Sequence, residues 1–301
     1  MNTANGSKSS TVNHTPFTIK PRRMSFPFSK VKQLYFFDGN VLKSAYIAAL
    51  SATFPAGEGE FIASVRLFKD KVNDPDLKKQ ISGFIGQEGH HSHQHKMFNQ
   101  ALKELGFNAV RLECVFTKDM AKNLKGRSDA ERLAYTVCFE HQTAILANEL
   151  LSNPNVLKGM DKTIKQLMLW HSVEEIEHKS VAFDLYMECV GDRALLKKIQ
   201  KEAMAMFMRR VSKYMFLLLW WSKTIPSWKD INGYTRFMVG KGGLLRNLRQ
   251  PYEAFFSDHF HPWDHQNQSL IDQWNQNNSQ PDNDQGREIF NVAPPLAMPL
   301  G

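Results

Sequence analysis

The sequence predicts an all-α fold, a four-helix bundle with additional C-terminal helices. Three observations carry this. Proline is sparse through the middle of the chain, and no alternation of Val, Ile and Thr persists there, so the period of a strand is missing. Helix start and stop signals recur at helical separations. Apolar residues recur at alternating spacings of four and three, the period of one helix face.

The elements follow in order. The first helix covers about Val41 to Lys69, with Pro55, Gly57 and Gly59 set to kink or restart it. Asp74-Pro75-Asp76 supplies an N-cap, a first-turn proline and an acidic neighbour for a second helix that runs to Leu105, where Gly106 stops it. Ser128-Asp129-Ala130-Glu131 is a capping box, and its helix ends near Ser152, before Asn153-Pro154. A helix from about Asp161 to Val190 stops at Gly191. The last runs from about Arg193 to Lys223, ahead of Pro226. Residues 1–23 are rich in Ser, Thr and Asn, and 11 of the 21 residues from Gln266 to Gly286 are Asn or Gln. Lacking apolar periodicity, both ends read as flexible tails, 1–23 and 264–301, around one helical domain, 24–263.

Composition narrows the function classes. The 301 residues are 42% hydrophobic and 23% charged, which is globular. Cys114, Cys138 and Cys189 are widely spaced without a CxxC pair, which argues against a zinc ribbon or iron–sulfur cluster and favours a reducing cytoplasm. The polar N-terminus lacks the apolar core of a signal peptide. The longest apolar run, Tyr214 to Trp221, is eight residues, far below the ~20 that span a bilayer. A net charge of +8 without a recognised binding motif predicts no nucleic-acid partner.

The chemistry lies where the apolar stripes are interrupted. The 75–105 stripe reads Leu77, Ile81, Phe84, Glu88, His91, His95, Phe98, Leu102. The 161–190 stripe reads Met168, His171, Glu175, His178, Ala182, Leu185. The 129–152 and 41–69 stripes each carry one carboxylate, Glu140 and Glu58. Glu60 competes with Glu58, but its own stripe is less apolar; Glu174 competes with Glu175, but only Glu175 stands three before His178. Residues i and i+3 lie about 60° apart on a helix, so the Glu and His of each Glu-x-x-His reach one point. Converging buried carboxylates repel unless cations neutralise them. Glu58, Glu88, His91, Glu140, Glu175 and His178 therefore read as ligands of two metal ions, iron first, manganese or a mixed pair next, in the pattern of ferritin-like di-iron or di-manganese bundles.

Gln87 and Glu174 each precede a ligand Glu and are placed to bond the opposite histidines. His95 and His171 share the ligand stripes and are extra ligands, proton carriers or satisfied core histidines. His141 lies off the seam.

The stretches Phe54-Pro55-Ala56-Gly57-Glu58, Gln87-Glu88-Gly89-His90-His91, Phe139-Glu140-His141 and Trp170-His171-Ser172-Val173-Glu174-Glu175-Ile176-Glu177-His178-Lys179 resemble the bacterial family named "predicted metal-dependent hydrolase", itself similar to the ferritin-like superfamily. The resemblance covers roughly residues 20–263, including Phe260-His261-Pro262-Trp263. It implies the same six ligands, and its name implies hydrolysis. Gly59-Glu60 departs from the basic-then-aromatic pair more usual in members, which bears on the pocket lining beside Glu58.

The carboxylate-rich donor set by itself favours O2 activation, hence an oxidase or oxygenase of an apolar, lipid-like substrate with an external electron donor. Hydrolysis by a two-metal-activated water and non-enzymatic metal storage are the alternatives. The Trp-rich end near Trp220 and Trp221, flanked by Arg209, Arg210, Lys213 and Lys223, adds two expectations: a homodimer interface, or peripheral contact with the inner membrane surface.

Overall fold

The computed structural model describes residues 15–279. They form an all-helical bundle: α1 (Val41–Arg66), α2 (Pro75–Leu105), α3 (Ala109–Leu124), α4 (Asp129–Ser152), α5 (Lys162–His178), α6 (Val181–Cys189), α7 (Arg193–Trp221), α8 (Trp228–Val239), α9 (Arg249–Ala254) and α10 (Gln268–Ser279). The α1–α2 and α4–α5 pairs make the most extensive helix packing, and α7 lies against α1 and α4.

Local chemistry explains the starts. Asp74 accepts from the backbone N–H groups of Asp76 and Leu77 at the head of α2, and Ser128 and Glu131 close a reciprocal capping box on α4. Gly106 ends α2 at φ 121°, a conformation disfavoured for any residue with a Cβ.

Three expectations are corrected. First, Pro55 does not restart α1, which runs unbroken from Val41 to Arg66. A proline removes the N–H that would bond the carbonyl four residues back, and here Asn99 Nδ2 on α2 donates to that carbonyl, Ser51 O, at 3.2 Å. Second, the predicted 161–190 helix divides at Lys179 and Ser180 into α5 and α6. Both side chains are engaged elsewhere: Lys179 Nζ donates to His265 O and Asn267 Oδ1, each at 2.8 Å, and Ser180 Oγ bonds Thr15 Oγ1. Third, the tails are shorter than expected. Residues 15–23 form a strap against α2 and α5, with Ile19 buried. The strap passes so close that a Cβ at Gly83 would sit 2.7 Å from Ile19 O, and one at Gly86 2.5 Å from Pro21 Cγ. At the other end, residues 268–279 form α10, whose Ile271 packs with Val173 and Ile176 of α5. Residues 1–14 and 280–301 of the expected tails lie outside the described residues.

The apolar interior comes in two main clusters. One holds Ala45, Ala49, Phe98, Leu102 and Trp170; the other holds Val65, Ile81, Phe84, Leu133, Val137 and Leu185. Along α2 the change from one to the other falls between Phe84 and Phe98, and the ionisable residues occupy that interval. No helix among the described residues is long and apolar enough to cross a membrane. The Tyr214–Trp221 run is split: Tyr214, Met215 and Leu218 are buried, whereas Phe216 and Trp220 are exposed, as are Ile225 and Trp228 beyond them.

Candidate metal centre

Four helices bring their interrupting residues together. Glu58 comes from α1, Glu88 and His91 from α2, Glu140 from α4, and Glu175 and His178 from α5; all six are buried. His178 Nε2 lies 3.2 Å from Glu88 Oε1, 3.3 Å from Glu140 Oε2 and 3.5 Å from Glu175 Oε1. His91 Nδ1 lies 3.6 Å from Glu175 Oε1 and 3.9 Å from Glu88 Oε2. Two atoms each about 2.1 Å from one ion sit about 3–3.5 Å apart at ordinary coordination angles. Four overlapping groups of potential ligands result: Glu58, His95 and His171; His91, His171 and Glu175; Glu58, Glu88 and His91; and Glu88, Glu175 and His178.

The fit to metal rests on what these atoms lack. Both oxygens of Glu58, Glu88 and Glu140, together with Glu175 Oε2, His91 Nδ1 and His178 Nε2, are buried without a hydrogen-bond partner among the described residues. Orphaned polar atoms on this scale are costly in a protein interior. Burial, then the neighbouring carboxylates, push Glu58, Glu88 and Glu140 well above the usual carboxylate range. Burial would raise Glu175 as well, but His178 and His171 outweigh it and hold that carboxyl well below. Burial, then His171, push His91 and His95 well down. Divalent cations at the centre of this set would satisfy the orphaned atoms and remove the repulsion together.

The orientation of each histidine follows from its outer partner. Glu174 Oε2 lies 3.0 Å from His91 Nε2, so that nitrogen carries the proton and Nδ1 faces the centre. Gln87 Nε2 donates to Glu177 Oε2, which leaves Gln87 Oε1 to accept from His178 Nδ1 at 3.1 Å and turns Nε2 inward. A longer chain fixes His171. Asn99 Nδ2 faces two acceptors, Ser51 O and Glu113 Oε2, so Asn99 Oδ1 accepts from Ser51 Oγ at 2.7 Å. Ser51 Oγ then accepts from His95 Nδ1 at 2.9 Å, and His95 Nε2 accepts from His171 Nδ1 at 2.8 Å. His171 Nε2 is left to face Glu175 Oε1 at 2.9 Å and Glu58 Oε1 at 3.8 Å. Both ring nitrogens of His95 are thereby committed, although it belongs to one of the four groups.

Other residues singled out in the sequence lie elsewhere. Glu60 pairs with Arg132 at 2.8 Å. His141 packs against Phe255 and Phe260. Sequence reasoning missed Arg22, whose guanidinium bonds Glu174 Oε1 and both oxygens of Glu177. The signal was indirect: Glu174 and Glu177 are buried acids with no cation on their own stripe.

An apolar cavity meets the centre. Phe54, Phe139, Leu146 and Met168 line it, together with Glu175 and His171 of the centre. A second apolar cavity shares Phe54, Phe139 and Phe207 with it.

The family model described as "Predicted metal-dependent hydrolase" matches residues 20–266. No curated protein and no solved structure matches the chain.

Proposed function

Because the chain belongs to the predicted metal-dependent hydrolase family, we propose that it is a dinuclear metal-dependent hydrolase acting on an apolar substrate. One observation carries the reading: a buried set of orphaned carboxylate and imidazole atoms opens directly onto an apolar cavity. Glu58, Glu88, His91, Glu175 and His178, with Glu140 beside His178 at 3.3 Å, would hold the two ions, and His171 would be a seventh ligand. Bound divalent ions would supply an acidified water and a Lewis acid for a substrate carbonyl.

The chain's own residues do the rest. Glu174, Gln87 and the Ser51–His95 pair keep the outer ring protons of His91, His178 and His171 in place, so the inward nitrogens stay unprotonated. Phe54, Phe139 and Met168 exclude bulk water and hold the apolar body of the substrate beside Glu175.

The donor set favours a second reading, oxidation of the same apolar substrate with O2. Hard oxygen ligands dominate, thiolates are absent from the groups, and such sets suit iron or manganese. That reading needs an external electron donor. Hydrolysis of apolar esters and amides by protein loaded with zinc or manganese, with no O2 uptake by the reduced iron form, supports the first reading. O2 uptake by the iron form, with an inactive zinc form, replaces it with the second.

A further inference from the structure

Gln142 stands apart from the other polar groups near the centre. It follows Glu140 by two residues on α4. Its side chain is 3% exposed, and neither its amide nitrogen nor its oxygen has a partner among the described residues. Leaving a buried donor or acceptor unpaired costs roughly 1–3 kcal/mol, so an interior amide in this state needs an explanation. Its place supplies one. Gln142 lines the same apolar cavity as Glu175 and His171. It also lines the apolar groove bounded by Met208, Tyr234 and Tyr252, and Tyr46, Leu146 and Phe207 are common to both. Gln200, which is equally buried and unpaired, lines neither.

We propose that Gln142 is the polar anchor of this cavity and selects an apolar molecule bearing one neutral group with a donor and an acceptor side by side, an amide or an undissociated carboxylic acid. The proposal rests on the cavity being the substrate chamber. An amide side chain presents one acceptor and two donors, so Oε1 accepts the ligand's N–H or O–H while Nε2 donates to its carbonyl. An ester satisfies Nε2 alone, and a hydrocarbon satisfies neither. The cavity wall carries no Lys or Arg, so beside Gln142 the wall itself offers an ionised carboxylate no counter-charge. Sites built to hydrogen-bond a ligand group discriminate strongly against analogues lacking it, because the site's buried polar atoms are then left unpaired.

The test uses octanamide, methyl octanoate and nonane as probes, titrated calorimetrically into the full chain, both metal-free and metal-loaded. Wild type should bind octanamide at least tenfold more tightly than nonane, with the ester between them. Gln142→Leu and Gln142→Met should bring the three affinities within about twofold, while melting at or above the wild-type temperature because the orphaned groups are gone. Equal wild-type affinities, no binding of any probe, a preference that survives in both variants, or variants less stable than wild type would each overturn the assignment. A failure of the metal reading looks different: protein that retains no metal, with the octanamide preference intact in the metal-free form.

Discussion

At the residue scale, each inward-facing histidine has its outer ring nitrogen held by another side chain, and those holders set the affinity of the centre. Glu174→Ala removes the acceptor at His91 Nε2. It should lower metal affinity by about 10–100-fold, the usual effect of losing an outer partner, read by competition with a chelator. Ser51→Ala breaks the chain that orients His95 and His171 and should act in the same direction, whereas Glu60→Gln, in its ion pair with Arg132, should leave metal affinity unchanged. His141 supplies a separate pH effect. Burial holds it down to about 3, against an ordinary value of about 6.5. The unfolded chain takes up this proton below about 6.5 and the fold does not, so stability falls as the pH drops from there toward 3. Between pH 7 and 5 the wild type should lose about 2 kcal/mol more than His141→Phe in paired denaturant titrations.

The helix elements are legible in the sequence where their determinants are local. The Ser128 capping box, the Asp74-Pro75 start and the Gly106 and Gly191 stops act within a few residues of themselves. The ligand stripes are readable for the same reason, since a helix converts spacing directly into a face. Where the determinant is distant, the sequence is silent. The continuity of α1 through Pro55 depends on Asn99 of another helix. The strap depends on Arg22 meeting acids about 150 residues away, and on two glycines of α2 that admit it. Gln142 gives no signal either, because being unpaired is a property of the folded surroundings. The strap yields its own prediction. Arg22→Ala leaves Glu174 and Glu177 buried without their cation, which should destabilise the fold by about 3–5 kcal/mol, measured as a shift in the urea midpoint. Gly83→Ala, which forces Ile19 away, should expose the same segment to proteolysis while α2 stays helical by circular dichroism.

At the scale of the whole molecule, a layer of buried charge lies between two apolar clusters, and the bundle is only as stable as that layer is neutral. Binding that occurs in the folded state alone adds to folding stability, about 4 kcal/mol when free metal is a thousandfold above Kd. Chelation should therefore lower Tm by about 6 °C for a chain of this size, and re-metallation should restore it; an unchanged melting curve after verified metal removal would contradict a buried centre. The most direct test of the account is the metal content of protein purified without chelators, beside that of the His91→Ala/Glu140→Ala/His178→Ala variant. About two ions per chain are expected in the wild type and close to none in the variant. A wild type that binds no more than one ion under saturating metal, or a folded triple variant that keeps both, would contradict it.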